Sequence, residues 1–510
     1  MSDGVRAGGN TEVLESGRGI FPLSVIIGVV TGGAAYFITR FLVDGAPAGP
    51  FAAATLQSLA IFAASWLLLA ERRDFLRPLL PAAIIAAALA GPTAFLASIR
   101  APQNAEIDPF PFLFWAIAAA PLTFFLLLSL SKSWLETGKT ISYRAIFLNG
   151  LTFPIVAGGG ALFAGLALIL IFAAGAFLKQ LDAEIIARVI DEPWFILPFF
   201  SVVGAMCLAL IRAQTGVLGA FRFAILLFAR LAMPVLAIVS VAFLAAMAMN
   251  GPASIIQATS IFGRPAIGSL IAGLAAMLVF NGVYQNGAKP PAPWLRIATI
   301  VTIFVLPVFP ALTLFALVNR ISEFGFTPVR IYGLAVTALT TIYAAGIWFA
   351  LIGELRSTKD KWLPFVPRFN RAMALIWAIS MIGLFLPFSN PWAISARNQE
   401  ARLLDGKIDL HGFDFGYLQF KLGAPGKDAL ARLADSPTLT DRVAVTAAIA
   451  RARHALTYWE YQHPELMAPH SEKRRGPARP SEPTAATAEP GPMDLPLNPG
   501  GAARAPDGSE

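Results

Sequence analysis

The side chains that carry most hydrolytic and metal chemistry are few in this chain, and their spacing does not suit them to it. All four histidines, His411, His454, His463 and His470, lie beyond residue 400 at separations of 43, 9 and 7. None has the i, i+4 pairing that places two imidazoles on one helix face around a metal. The single cysteine, Cys207, sits in an apolar run, so neither an intrachain disulfide nor a thiolate cage is available. There is no Walker-type loop, and the Gly158-Gly159-Gly160 run opens inside an apolar stretch that a nucleotide does not reach. No cofactor, metal site or catalytic residue is therefore expected. Glu106, Asp108, Asp182, Glu184, Asp191 and Glu192 lie between apolar stretches, where a lipid-modifying or glycosyl-transfer enzyme would keep a metal-holding or basic carboxylate. Loop acids are more often solvated charges, which makes such an enzyme a minor alternative.

Three charges have a more specific arrangement. In Asn319-Arg320-Ile321-Ser322-Glu323-Phe324-Gly325-Phe326-Thr327-Pro328-Val329-Arg330-Ile331-Tyr332, Gly325 suits the left-handed residue that ends a helix. Thr327 suits an N-cap and Pro328 the first position of the next helix, so the segment reads as a tight helix-to-helix turn. Capping does not require Arg320, Glu323 and Arg330 together. Arg320 and Glu323 are i, i+3 neighbours, and Arg330 is delivered by the following helix. Two arginines against one carboxylate leave surplus positive charge. The three are expected to form one cluster that binds a lipid phosphate or a carboxylate of the domain that follows, or else only fixes the loop.

These residues must be positioned by elements that live in lipid. Of 510 residues 56% are hydrophobic and 14% charged, with a mean hydropathy of +0.65, which excludes a soluble enzyme, a disordered chain and a collagenous one. The apolar stretches are continuous rather than alternating, which excludes a β-barrel. The fold class expected is all-α, a polytopic membrane helix bundle. Crossing roughly 30 Å of hydrocarbon takes about 20 apolar residues. Eleven segments qualify, near 21–43, 51–70, 78–99, 111–130, 151–178, 193–211, 223–249, 266–283, 296–318, 330–353 and 372–388. The first is read as a span, since no small-residue cleavage site follows it. Of the lysines and arginines near these spans, seventeen fall in one set of alternate loops and seven in the other. The richer set stays cytoplasmic, so the N-terminus is expected inside and, after eleven spans, the C-terminus in the periplasm. The net charge of +8 is spread beside the spans, which fits orientation in the membrane and not nucleic-acid binding.

Intramembrane charge is nearly absent, and no Asp or Glu falls inside a predicted span. Arg230 lies shallow enough in its span to snorkel back to the cytoplasmic side. Pro154, Pro234 and the Leu306-Pro307-Val308-Phe309-Pro310 run interrupt spans, which fits either plain kinks or the lining of a transport site. Gly28 with Gly32 suits close helix packing. Lys179 to Glu192 places Leu181, Ile185, Ile186, Val189 and Ile190 on one face, an interfacial connector helix.

After the last span a second stretch stands out: Asn390-Pro391-Trp392-Ala393-Ile394-Ser395-Ala396-Arg397-Asn398-Gln399-Glu400-Ala401-Arg402-Leu403-Leu404, followed by Phe413-Asp414-Phe415-Gly416-Tyr417-Leu418-Gln419-Phe420. On this stretch and the Asn319–Tyr332 turn, the chain resembles the bacterial multi-pass membrane-protein family catalogued as domain of unknown function 4153. The resemblance extends from the first span to about residue 435 and implies many spans followed by a small soluble segment. It brings no reaction, ligand or catalytic residue with it.

The organisation expected is a cytoplasmic segment over 1–20, the helical membrane domain over 21–388, a small helical extramembrane domain over 389–466, and a disordered tail over 467–510 with nine prolines. Tyr417, Phe420, Tyr458, Trp459 and Tyr461 suit a small core or a binding surface. The missing chemistry favours a non-enzymatic sensing, scaffolding or regulatory protein of the bacterial inner membrane. A transporter or channel for a small solute or lipid is the alternative. The partners expected are membrane lipids and a periplasmic or membrane protein met through the C-terminal domain.

Overall fold

The computed structural model describes residues 20–464 apart from 44–48, 72–73, 101–105, 139–140, 182–187, 191, 262–263, 265, 286, 288–289, 356–361, 438 and 440. Among the described residues it is an all-α bundle, and the long apolar runs become helices because a chain in lipid must satisfy its backbone polar groups internally. In chain order they are α1 Phe21–Ile38, α2 Gly49–Leu69, α3 Leu79–Ile99, α4 Phe110–Thr137, α5 Tyr143–Gln180, α6 Pro193–Ala213, α7 Thr215–Ala258 and α8 Ile267–Tyr284. They continue with α9 Pro293–Val305, α10 Val308–Phe324, α11 Pro328–Leu355 and α12 Val366–Leu384. The last helices lie beyond the spans: α13 Pro391–Leu404, α14 Gly423–Asp435 and α15 Arg442–His454. The chain is a multi-pass membrane protein.

Contacts between segment ends sort the loops into two faces. On the far face, Lys132 of α4 pairs with Glu71 after α2, and Arg212 of α6 donates to the Leu67 carbonyl at 2.6 Å. Arg371 of α12 donates to the Ile141 carbonyl at 2.6 Å, and Arg296 of α9 pairs with Glu354 of α11 at 3.3 Å. On the opposite face, called the turn face, Asp108 before α4 pairs with Arg264 before α8 at 3.8 Å, and Phe326 between α10 and α11 meets Asn398 of α13. These two sets are the alternate loops counted in the sequence. Ten segments are long and apolar enough to cross a membrane by themselves. The eleventh, α12, is more polar, but it starts at the far face and delivers α13 to the turn face after a 74° bend. Its 19 residues span about 28 Å, close to the hydrocarbon thickness.

Small residues set the closest helix contacts. A Cβ on Gly28 would lie 2.5 Å from the Val202 Cα, and one on Gly32 would lie 2.3 Å from the Pro198 Cα, so α1 and α6 touch backbone to backbone. Gly159 and Gly160 face Ile211 and Leu208 of α6. The glycine run therefore packs α5, which remains one helix through Pro154. Pro234 likewise leaves α7 continuous, and that helix breaks instead at Gly251, whose φ of 77° no helix allows. Only the Leu306-Pro307 turn divides a span, into α9 and α10. Toward the far face a polar hub joins four spans: Asn281 donates to the Tyr343 hydroxyl at 2.7 Å, and Asn370 donates to the Asn281 oxygen at 2.8 Å and the Tyr143 hydroxyl at 2.9 Å. Arg230 is exposed, and its neighbour Ala229 packs on Gly282 in the last turn of α8, which places the charge near the far face. Of the expected connector helix, residues 182–187 and 191 lie outside the described residues; Ile190 is buried against Gly175 and Leu181 is exposed.

The helices after the last span do not stand apart. Met1–Tyr461 forms one compact unit, and the core formed by Leu418, Leu430, Leu433 and Ile449 runs on into Trp392, Phe385, Tyr332 and Trp115 of the bundle. A segment of about 70 residues has a small core of its own, and here the turn face of the spans extends it. The tail over 467–510 lies outside the described residues.

Candidate functional site

The Asn319–Tyr332 turn is built around the C-terminus of α10, whose last carbonyls have no partner within the helix. Side chains from two other elements fill that need. Arg402 of α13 donates to the Ser322 carbonyl at 3.0 Å and to the Glu323 carbonyl, and Gln399 donates to the Phe324 carbonyl at 3.0 Å. Arg330 donates to the Gly325 carbonyl at 2.6 Å, and the Ser395 hydroxyl to the Phe326 carbonyl at 2.8 Å. Phe326 N–H in turn donates to Asn398 Oδ1 at 2.8 Å. Gly325 has a φ of 76°, and a Cβ there would meet Asn398 and Gln399 at 2.7 Å and Arg402 at 2.8 Å. The two stretches singled out in the sequence are thus one contact: α13 clasps the turn with Ser395, Asn398, Gln399 and Arg402. Its own start is fixed by Asn390, whose oxygen accepts from Ala393 N–H at 3.1 Å.

Beside this clasp lies a cavity of about 740 Å³, bounded by α8, α10, α11, the Glu106–Phe114 segment, Trp392, Tyr417, Lys421 and Tyr458. Each of three spans contributes a wall seven residues deep: Ile267 to Leu274, Thr313 to Arg320, and Arg330 to Thr337. At 1.5 Å per residue that is about 10 Å. The walls are largely apolar, with Leu270, Leu274, Ala316, Leu317 and Val336, while the charges gather at the rim. There Glu106 accepts from Tyr458 N–H at 2.8 Å and faces Lys421 at 3.8 Å. Asp108 accepts from Phe110 N–H at 2.8 Å and faces Arg264 at 3.8 Å, with Arg264 lying 4.3 Å over the Phe110 ring. Both carboxylates therefore already hold a cation and a backbone donor.

Arg320 and Arg330 are the cations left over. Both lie over the Phe324 ring, at 5.1 and 5.7 Å, and neither has a carboxylate within ion-pair distance among the described residues. Glu323 is exposed, does not line the cavity, and forms no ion pair with either arginine there. The structure thus joins the two arginines through Phe324, with the Glu323 charge acting on Arg330 from outside the cavity. Burial pushes the Tyr417 phenol up to about 12, with Asp108 and Asp414 acting the same way against the opposing Ser395 hydrogen bond and Arg330 charge, so it stays a neutral donor at the rim. Burial raises the Tyr458 phenol as well, as does its hydrogen bond to Asp414.

Arg264 and Lys421 carry parts of this site that the sequence did not single out. Arg264 was visible only as one loop charge among seven, and Lys421 reaches Glu106 across 315 residues. Among the described residues no three His, Cys, Asp or Glu side chains converge. Comparison of the chain with family models, curated proteins and solved structures gives no match.

Proposed function

We propose that this is a non-enzymatic sensing or regulatory protein of the bacterial inner membrane that binds an anionic ligand in the cavity under α13. Its N-terminus would be cytoplasmic and its turn face periplasmic, in keeping with the excess of basic residues at the far face. The observation that carries the reading is the pair Arg320 and Arg330, free of carboxylates at the rim of an otherwise apolar cavity. A guanidinium pair binds phosphate or carboxylate through charge-assisted, bidentate hydrogen bonds. Since α13 clasps the same turn, occupancy would be felt by the helices beyond the membrane, which supports signalling.

The other readings have less support. The cavity reaches about 10 Å into a core of about 30 Å, and toward the far face the fully buried Phe280, Ala344 and Ile347 pack the bundle, which favours a binding pocket over a carrier's path. Glu106 and Asp108 are each held by a cation and a backbone donor, which favours a structural role for these two acids over that of a base. The test uses full-length protein in detergent, titrated calorimetrically with inorganic phosphate, glycerol 3-phosphate and phosphatidic acid. At least one anion should bind, and Arg320→Ala should weaken it about tenfold or more. Glu323→Gln should leave it unchanged. Absence of binding by all three, or an equal loss in Glu323→Gln, would refute the reading.

A further inference from the structure

We infer that the ligand of this cavity is a glycerophospholipid ending in a phosphate monoester. Its phosphate would rest on Arg320 and Arg330, its glycerol and the upper part of its chains on the apolar walls, and its acyl chains would leave sideways past Ile271. The inference rests on the anion-binding reading and adds the identity and path of the ligand.

Three observations lead to it. The rim carries Arg264, Arg320, Arg330 and Lys421 against Glu106 and Asp108. Two of the four cations are paired, to Asp108 and Glu106, and a charge of two remains on Arg320 and Arg330. A phosphate monoester carries about −1.5 to −2 at pH 7, whereas a diester carries a single charge, so the monoester matches the surplus. Second, the walls below the rim are largely apolar and about 10 Å deep, less than the roughly 15 Å of one leaflet's hydrocarbon, so they suit the head of an acyl chain whose remainder lies outside. Third, Ile271 of α8 both lines the cavity and is 53% exposed, which makes that wall the side on which the chains would leave. A free phosphate ester would satisfy the rim and leave the apolar wall without a role.

The experiment embeds the full chain in nanodiscs of phosphatidylcholine and measures binding of three probes. These are dioleoyl phosphatidic acid, dioleoyl phosphatidylglycerol and glycerol 3-phosphate. Phosphatidic acid should bind at least about tenfold more tightly than phosphatidylglycerol, through the second charge-assisted contact. Ile271→Trp, on the exposed side of α8, should reduce phosphatidic acid binding and not that of glycerol 3-phosphate. Equal affinity for phosphatidylglycerol overturns the monoester assignment. Glycerol 3-phosphate binding as tightly as phosphatidic acid, with both lost in Arg320→Ala, overturns the lipid and leaves the anion site standing. Binding of no probe overturns both.

Discussion

Arg402 holds two carbonyls of a helix eighty residues away, Ser322 and Glu323, with one guanidinium. The geometry is a fork across the negative end of α10, which a flexible ammonium cannot reproduce. Arg402→Ala should therefore lower stability by about 1–3 kcal/mol, and Arg402→Lys should recover only part of it. Thermal melting of the purified protein reads both; an unchanged melting temperature in Arg402→Ala would show that Ser395, Asn398 and Gln399 hold the clasp without it. At the far face, Glu71 is drawn upward by burial, but the Lys132 hydrogen bond and the Lys132 and Arg212 charges outweigh this and hold its carboxyl below the ordinary glutamate range. A carboxyl whose value is depressed by folding adds stability above its unfolded value, and that stability is lost as pH falls through the folded one. Below about pH 4.3 the protein should lose melting temperature through Glu71. Glu71→Gln should melt lower than the parent at neutral pH and show a flatter acid limb; identical pH profiles would remove Glu71 from the account.

At the scale of elements, the contact of α1 with α6 gives an internally controlled test. Gly32→Ala would drive a methyl to 2.3 Å from the Pro198 Cα, while Gly33→Ala, one residue on, meets nothing within 4 Å. Gly32→Ala should separate the two helices and lower the melting temperature clearly. Gly33→Ala should be neutral or slightly stabilising, since alanine is the better helix former. Equal behaviour of the two would mean that the helices do not touch there. This contact was legible in the sequence because the small residues lie one turn apart in an apolar run. The spans were legible for the same reason, as was the turn at Gly325, which needs a positive φ. What joins the elements was not. Asn281 and Asn370 are single polar residues in helices, and nothing local says that they meet each other, Tyr143 and Tyr343. Pro154 and Pro307 look alike on the page, yet only Pro307 lies where a span divides. The clasp on the turn links residues about 70 to 80 apart, and its donors Ser395, Gln399 and Arg402 and its acceptor Asn398 read locally as the polar face of one short helix. Arg320 and Arg330 could be picked out as a pair with surplus charge. That Phe324, and not Glu323, would lie between them depends on side-chain direction in three dimensions.

At the scale of the whole molecule, orientation follows from two independent facts. The loop contacts divide the segment ends into two faces, and the basic residues crowd one of them. Residues 67, 71, 132, 141, 212, 296, 354 and 371 meet at the far face, while 108, 264, 326 and 398 meet at the turn face, so each intervening helix has been crossed the right number of times. With α12 counted beside the ten apolar segments, up to eleven crossings separate the start of α1 from the helices of the junction. The side expected for each face follows lysine and arginine, which resist translocation. Alkaline phosphatase, which needs disulfides and so an oxidising compartment, should be active when fused after Trp459 and inactive when fused after Gly287 at the far face. Green fluorescent protein should show the reverse. Activity of phosphatase at both sites would mean that the two faces are not separated by the membrane, and a clean inversion of the pattern would place the basic face outside. In the inverted case the cavity would open to the cytoplasmic leaflet, whose anionic lipids would still meet Arg320 and Arg330, so the fusion result fixes from which leaflet the ligand is drawn.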